Sequence, residues 1–104
     1  MITFIAHLRV KSENAAAFEA LMTYVCAKVH EHEPGVPYYA FAQSVQDPST
    51  YVVIETYSDV AAHTAHMETD WVKQSLPKTV CLIEGRPDIK QYVSPGSAPV
   101  RARE

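Results

Sequence analysis

The sequence predicts an α+β fold, a ferredoxin-like βαββαβ sandwich whose four-stranded antiparallel sheet carries helices on one face. Three observations lead there. Residues 2–10 alternate in hydropathy with a period of two, two longer segments repeat apolar residues every three or four positions, and runs rich in β-branched and aromatic residues separate them. At 104 residues the chain has room for one core, and its 47% apolar content with three glycines favours packing over disorder.

In the first strand Ile2, Phe4, Ala6, Leu8 and Val10 point one way, against a core, and Thr3, Ile5, His7 and Arg9 the other. The second side is only partly polar, so it too is expected to be covered, by another subunit. Ser12 is the expected N-cap of a helix running to about Glu31, with Ala15, Phe18, Met22, Val25 and Val29 as its apolar stripe. Glu33-Pro34-Gly35 stops it, because proline disfavours helical geometry before it and glycine can turn left-handed.

A strand is expected from Val36 to Val45, with Tyr39, Phe41 and Gln43 on one face and Tyr38, Ala40 and Ala42 on the other. Asp47-Pro48-Ser49 has turn composition, so the strand starting at Tyr51 should return as a hairpin. There Tyr51, Val53, Glu55 and Tyr57 oppose Val52, Ile54 and Thr56, and the second set is the more apolar. Ser58 or Asp59 can cap a helix holding His63 and His66, and Thr69 or Asp70 restarts a helix through Trp71, Leu76 and Ile83. Pro77 should kink or split that helix near Ser75, Gly85 and Pro87 should end it, and residues 89–93 should form a last strand. The domain then spans residues 1–93, and residues 94–104, SPGSAPVRARE, have the composition of a flexible tail or an arm that docks on a partner.

Composition removes several classes of function. A net charge of −3 with nine Lys and Arg offers no basic stripe for nucleic acid. No run approaches the roughly 18 apolar residues of a membrane span, and no signal-peptide pattern is present, so a cytoplasmic location is expected. Cys26 and Cys81 lack metal or redox spacing and are expected as buried free thiols.

The chemistry concentrates where the third strand feeds the second helix. Glu55 and Tyr57 share a strand face, and His63, His66 and Trp71 follow on the next element, so a carboxylate, a phenol, imidazoles and an indole converge on one aromatic pocket. A buried carboxylate such as Glu55 needs a partner or a wet cavity. His63 and His66, three apart, also suit a metal by spacing, but a site would need further ligands and no metal is expected.

Several of these residues carry a family resemblance. The apolar first strand, Pro34-Gly35 before a strand with Tyr39, Asp47-Pro48, Glu55-Thr56-Tyr57, Ala62 and His66 together resemble the antibiotic biosynthesis monooxygenases, small dimeric α/β-barrel proteins, over residues 1–93. The resemblance implies a homodimer with a pocket in each subunit. Family members include cofactor-independent quinol monooxygenases, haem-degrading enzymes and an isomerase of a phosphorylated sugar derivative. Leu76 stands where the haem-degrading group carries its histidine, so no cofactor is implied here.

The reading that follows makes His66 the general base and Glu55 its companion, orienting His66 or a substrate hydroxyl. Tyr39, Phe41, Tyr57, His63 and Trp71 would bind a flat quinol or polyphenol-like ring, whose anion reacts directly with dioxygen. One alternative is an isomerase moving a proton beside a carbonyl, with Lys73 and Lys78 as the nearest cations for a phosphorylated substrate. A non-enzymatic small-molecule-binding domain is the other.

Overall fold

The computed structural model describes residues 1–101. Strand β1 (Ile2–Val10), a 3-10 turn at Ser12–Asn14, helix α1 (Ala15–His32), strands β2 (Tyr38–Gln43) and β3 (Thr50–Tyr57), helices α2 (Val60–Met67) and α3 (Asp70–Leu82), and strand β4 (Ile83–Val93) follow in order. The sheet runs β2-β3-β1-β4 with every neighbouring pair antiparallel, as the ferredoxin-like prediction requires.

Register decides which face of the sheet is buried. Phe4 pairs with Glu55, Ala6 with Val53, Leu8 with Tyr51, and Tyr39 with Glu55, so these side chains share one side. That side carries the helices, and Ala6, Leu8, Tyr39, Tyr51, Val53 and Tyr57 join Phe18, Met22, Val25 and Val29 of α1 in a single core. The more apolar set of β3, with Val52 and Ile54, therefore lies on the outer face. There Ile5 and Ala40 flank Ile54, and no described element covers them.

The elements depart from expectation where local chemistry competes. Ser12 does not cap α1: the chain enters through the 3-10 turn, and Asn14 instead sends its amide to the carbonyl of Leu82, tying α1 to the end of α3 at 3.3 Å. Pro77 does not split α3, which runs unbroken from Asp70 to Leu82 with the proline inside it. It lies on the solvent side between exposed Lys73 and Lys78, where water can take the carbonyl that its missing N–H leaves free.

Gly85 and Pro87 do not precede the last strand; they belong to it. Between His7 and Arg9 the β1–β4 register slips, Gly85 takes a φ of +67°, and β4 is an edge strand where Pro87 sacrifices no essential ladder bond. Strand β2 is shorter than the expected residues 36–45, because Val36 is spent on the core beneath the turn.

Gly35 is not left-handed. Its service is proximity: a Cβ there would stand 2.9 Å from the Cβ of Ala62, so the turn admits α2 only because it is bare. Cys26 is half-buried, whereas Cys81 is exposed on α3, correcting the expectation for that thiol. The tail folds back on its own chain as far as Arg101. Gln91 clamps the Val100 backbone with bonds of 2.9 and 2.7 Å, and Val100 packs against the core; the rest of the expected tail, residues 102–104, lies outside the described residues.

Candidate active site

Three short-range choices in the sequence aim His66 inward. The Asp59 carboxylate accepts the Ala62 amide at 2.8 Å and starts α2, and the Ser58 amide donates to the Gly35 carbonyl at 2.9 Å, pinning that start to the turn after α1. Ala62 and His66 lie four apart on one helical face, so seating Ala62 on Gly35 lowers His66 onto the residue just before the turn, Glu33. Thr69 closes the segment: its hydroxyl donates to the His66 carbonyl at 2.7 Å and caps α3 by accepting the Val72 amide.

The result is a chain of three groups. Trp71 Nε1 donates to Glu33 Oε2 at 2.7 Å, and Glu33 Oε1 meets His66 Nδ1 at 2.8 Å. With the His66 and Glu33 side chains only 3% and 8% exposed, little water competes for these bonds. A carboxylate on Nδ1 holds the proton of the neutral ring there and leaves Nε2, which has no hydrogen-bond partner among the described residues, as a lone-pair acceptor.

His66 lines a partly open cavity of about 150 Å³ bounded by the sheet, α1, α2, α3 and β4. Its walls are mostly aliphatic: Ala6, Leu8, Met22, Val25, Val53 and Val72 surround it, and Tyr39, Glu55, His66, Ser75 and Thr79 add the polar groups. The Tyr39 and Tyr57 rings each pack 5.3 Å from the imidazole, and Tyr57 donates to Glu55 at 2.5 Å.

Of the seven residues expected at the site, the fold thus brings Tyr39, Glu55 and His66 to the cavity wall and Tyr57 behind it. Trp71 lies off the cavity, its indole against His32 and its N–H on Glu33. His63 packs on Phe4 and Tyr57, facing a separate depression beside Val100 rather than pairing with His66 about a metal, and Phe41 packs edge-on against Phe18 in the core. Among the described residues no cluster of three His, Cys, Asp or Glu side chains could hold a metal ion. The carboxylate that grips His66 is Glu33, not Glu55. Its signal in the sequence was an acid at a helix C-terminus, where the dipole disfavours negative charge, so another partner was to be sought for it.

Burial sets the electrostatics. Desolvation pushes the Glu55 carboxyl above its ordinary 4.5, opposed by the Tyr57 hydroxyl and by charge on His66. Tyr39 and Tyr57 are pushed far above the ordinary phenol value, by burial first and by Glu55 next, so both stay neutral. Burial also lowers His63, with His66 contributing.

The Glu55 shift has a stability consequence. With its folded value raised above its unfolded one, the folded state holds the proton more tightly, so Glu55 destabilises progressively as pH rises from about 4.5 through the folded value. Glu55→Gln, which keeps an acceptor for Tyr57, should raise Tm above that of the native chain at pH 8 and leave it unchanged at pH 4. Thermal melts at the two pH values check this.

The geometry has relatives. The antibiotic biosynthesis monooxygenase family profile matches residues 1–77. The chain belongs to the antibiotic biosynthesis monooxygenase family. A proposed monooxygenase of this family from Caulobacter crescentus is 31% identical, with 88% of this chain and 86% of that one covered at a TM-score of 0.83. Another from Nitrosomonas europaea shares the fold at TM-score 0.84 and 22% identity, covering 91% and 99%, as does a conserved protein from Methanosarcina mazei at 0.81 and 22%, covering 88% and 89%. No curated protein sequence matches the chain. As an antibiotic biosynthesis monooxygenase family member, the chain has no helix among its described residues long and apolar enough to cross a membrane.

Proposed function

We propose that the protein is a cofactor-independent monooxygenase that oxidises a small quinol with dioxygen, with His66 as the base. The observation that carries this reading is an imidazole whose Nδ1 is fixed by a buried carboxylate and whose Nε2 has no partner among the described residues, on the wall of a mostly aliphatic cavity. Nε2 takes the proton of a substrate hydroxyl, and the resulting electron-rich anion gives an electron to dioxygen. One oxygen atom enters the ring and the other leaves as water, so that benzene-1,4-diol and dioxygen give 2-hydroxy-1,4-benzoquinone and water. Glu55 bonds a second hydroxyl of the ring, and the apolar walls keep bulk water from protonating the anion.

The cavity rim favours this reading over an isomerase of a phosphorylated sugar. Among the described residues no Lys or Arg lines it: Lys73 pairs with Glu68 at 3.1 Å, and Lys78 borders a different groove, between α1 and α3. Two copies are proposed to pair through the bare outer face around Ile5, Val52 and Ile54, whose flanking Tyr38 and Tyr92 are half exposed. Oxygen uptake with benzene-1,4-diol tests the function. The expected result is one dioxygen consumed per quinol with the hydroxyquinone as product; a panel of hydroquinones giving no uptake above the buffer rate overturns it.

A further inference from the structure

We infer that this pocket admits a single six-membered ring, and that Met67 and Leu76 are the residues that bar a second fused one. The inference rests on the cavity beside His66 being the substrate site. Its first ground is size. The space between the walls measures about 150 Å³ and opens to solvent at its rim, and a closed apolar protein cavity of about 150 Å³ holds one benzene molecule. A fused bicyclic guest seated with its hydroxyl on His66 has to leave its second ring outside that volume.

The second ground is where the volume stops. The lining residues divide by exposure: Ala6, Leu8, Tyr39, Val53, His66, Val72 and their neighbours are buried, whereas Met67, Leu76 and Ile89 are 39%, 47% and 54% exposed and form the rim. Met67 follows His66 on α2, and Leu76 lies one residue past Ser75 on α3, so both are fixed to the helices that build the site. Ile89 stands opposite on the edge strand. The chemistry sits on the buried side and the rim is aliphatic, so a ring enters hydroxyl-first and its far edge meets Met67 and Leu76. Because both side chains are partly in water, shortening them opens the rim without cutting into the core.

Binding of redox-inert monohydroxyarenes, followed through backbone amide shifts of Tyr39, Val53 and Ser75 in two-dimensional NMR, separates this inference from the reaction. Phenol should shift these amides, and 1-naphthol should bind the native protein at least about tenfold more weakly. Leu76→Ala and Met67→Ala should each bring 1-naphthol to within a few-fold of phenol, with unchanged spectra elsewhere reporting an intact fold. Equal binding of the two arenes by the native protein, an unaltered preference in both variants, or no shift with either arene overturns the inference. Size discrimination without oxygen uptake from quinols leaves the inference standing and removes the monooxygenase reading. Uptake without size discrimination does the reverse.

Discussion

His66→Gln is expected to lower kcat/KM for quinol oxidation by about 10³-fold, within the range that general-base catalysis supplies. The loss should fall on kcat, because the walls that hold the ring, Tyr39, Val53 and Val72 among them, remain. Glutamine is the informative replacement. It can still hydrogen-bond Glu33 Oε1, whereas alanine would leave that buried oxygen unpaired, with only Oε2 held by Trp71, at a cost of about 1–3 kcal/mol. Initial rates of oxygen uptake over a range of quinol concentrations, with circular dichroism to confirm folding, make the measurement. A variant that retains native kcat removes His66 from the reaction.

Glu33→Gln should be nearly as damaging although Glu33 does not line the cavity. The carboxylate has two oxygens and serves two donors, Trp71 Nε1–H and the His66 ring. A carboxamide has one acceptor oxygen. If that oxygen stays on the indole, its NH2 group faces Nδ1, and the neutral imidazole can meet a donor there only by moving its proton to Nε2. The lone pair that the reaction needs is then gone. We expect kcat to fall by about 10²-fold with KM within a few-fold of native, below the roughly 10⁴-fold seen when the tautomer-fixing aspartate of a serine protease is amidated. A purely structural Glu33 would instead lower Tm while sparing kcat per folded molecule, so the kinetic split and a thermal melt together decide its role.

Much of this was legible in the chain and some was not, for physical reasons. Period-two alternation in β1 fixed its buried face, and Asp59 and Thr69 announced the starts of α2 and α3 by side chains that do cap them. The burial of Glu55 and Tyr57 in place of Val52 and Ile54 ran against hydropathy. A strand bearing two unlike faces shows its alternation but not which side the helices choose, and here the less apolar side holds the cavity. Pro77 signalled a break that α3 does not make, because its ring sits on the exposed side, where water can satisfy the carbonyl that its missing N–H leaves free. Glu33 escaped notice because its contacts reach 33 and 38 residues along the chain, to His66 and Trp71, and no local spacing encodes them. For the same reason Trp71, placed by its residue type on the pocket wall, acts on the site through Glu33.

The central claim is that a carboxylate-held imidazole presents an unprotonated Nε2 to a cavity that takes a small hydroxyarene. Long-range ¹H–¹⁵N correlation of the histidine side chains, with His66 assigned by comparison with His66→Gln, tests it most directly. At a pH where the ring is neutral, His66 should show the Nδ1–H tautomer, and phenol should shift Nε2 while leaving exposed His30 unmoved. An Nε2–H tautomer, or an Nε2 resonance indifferent to saturating phenol, would contradict the account.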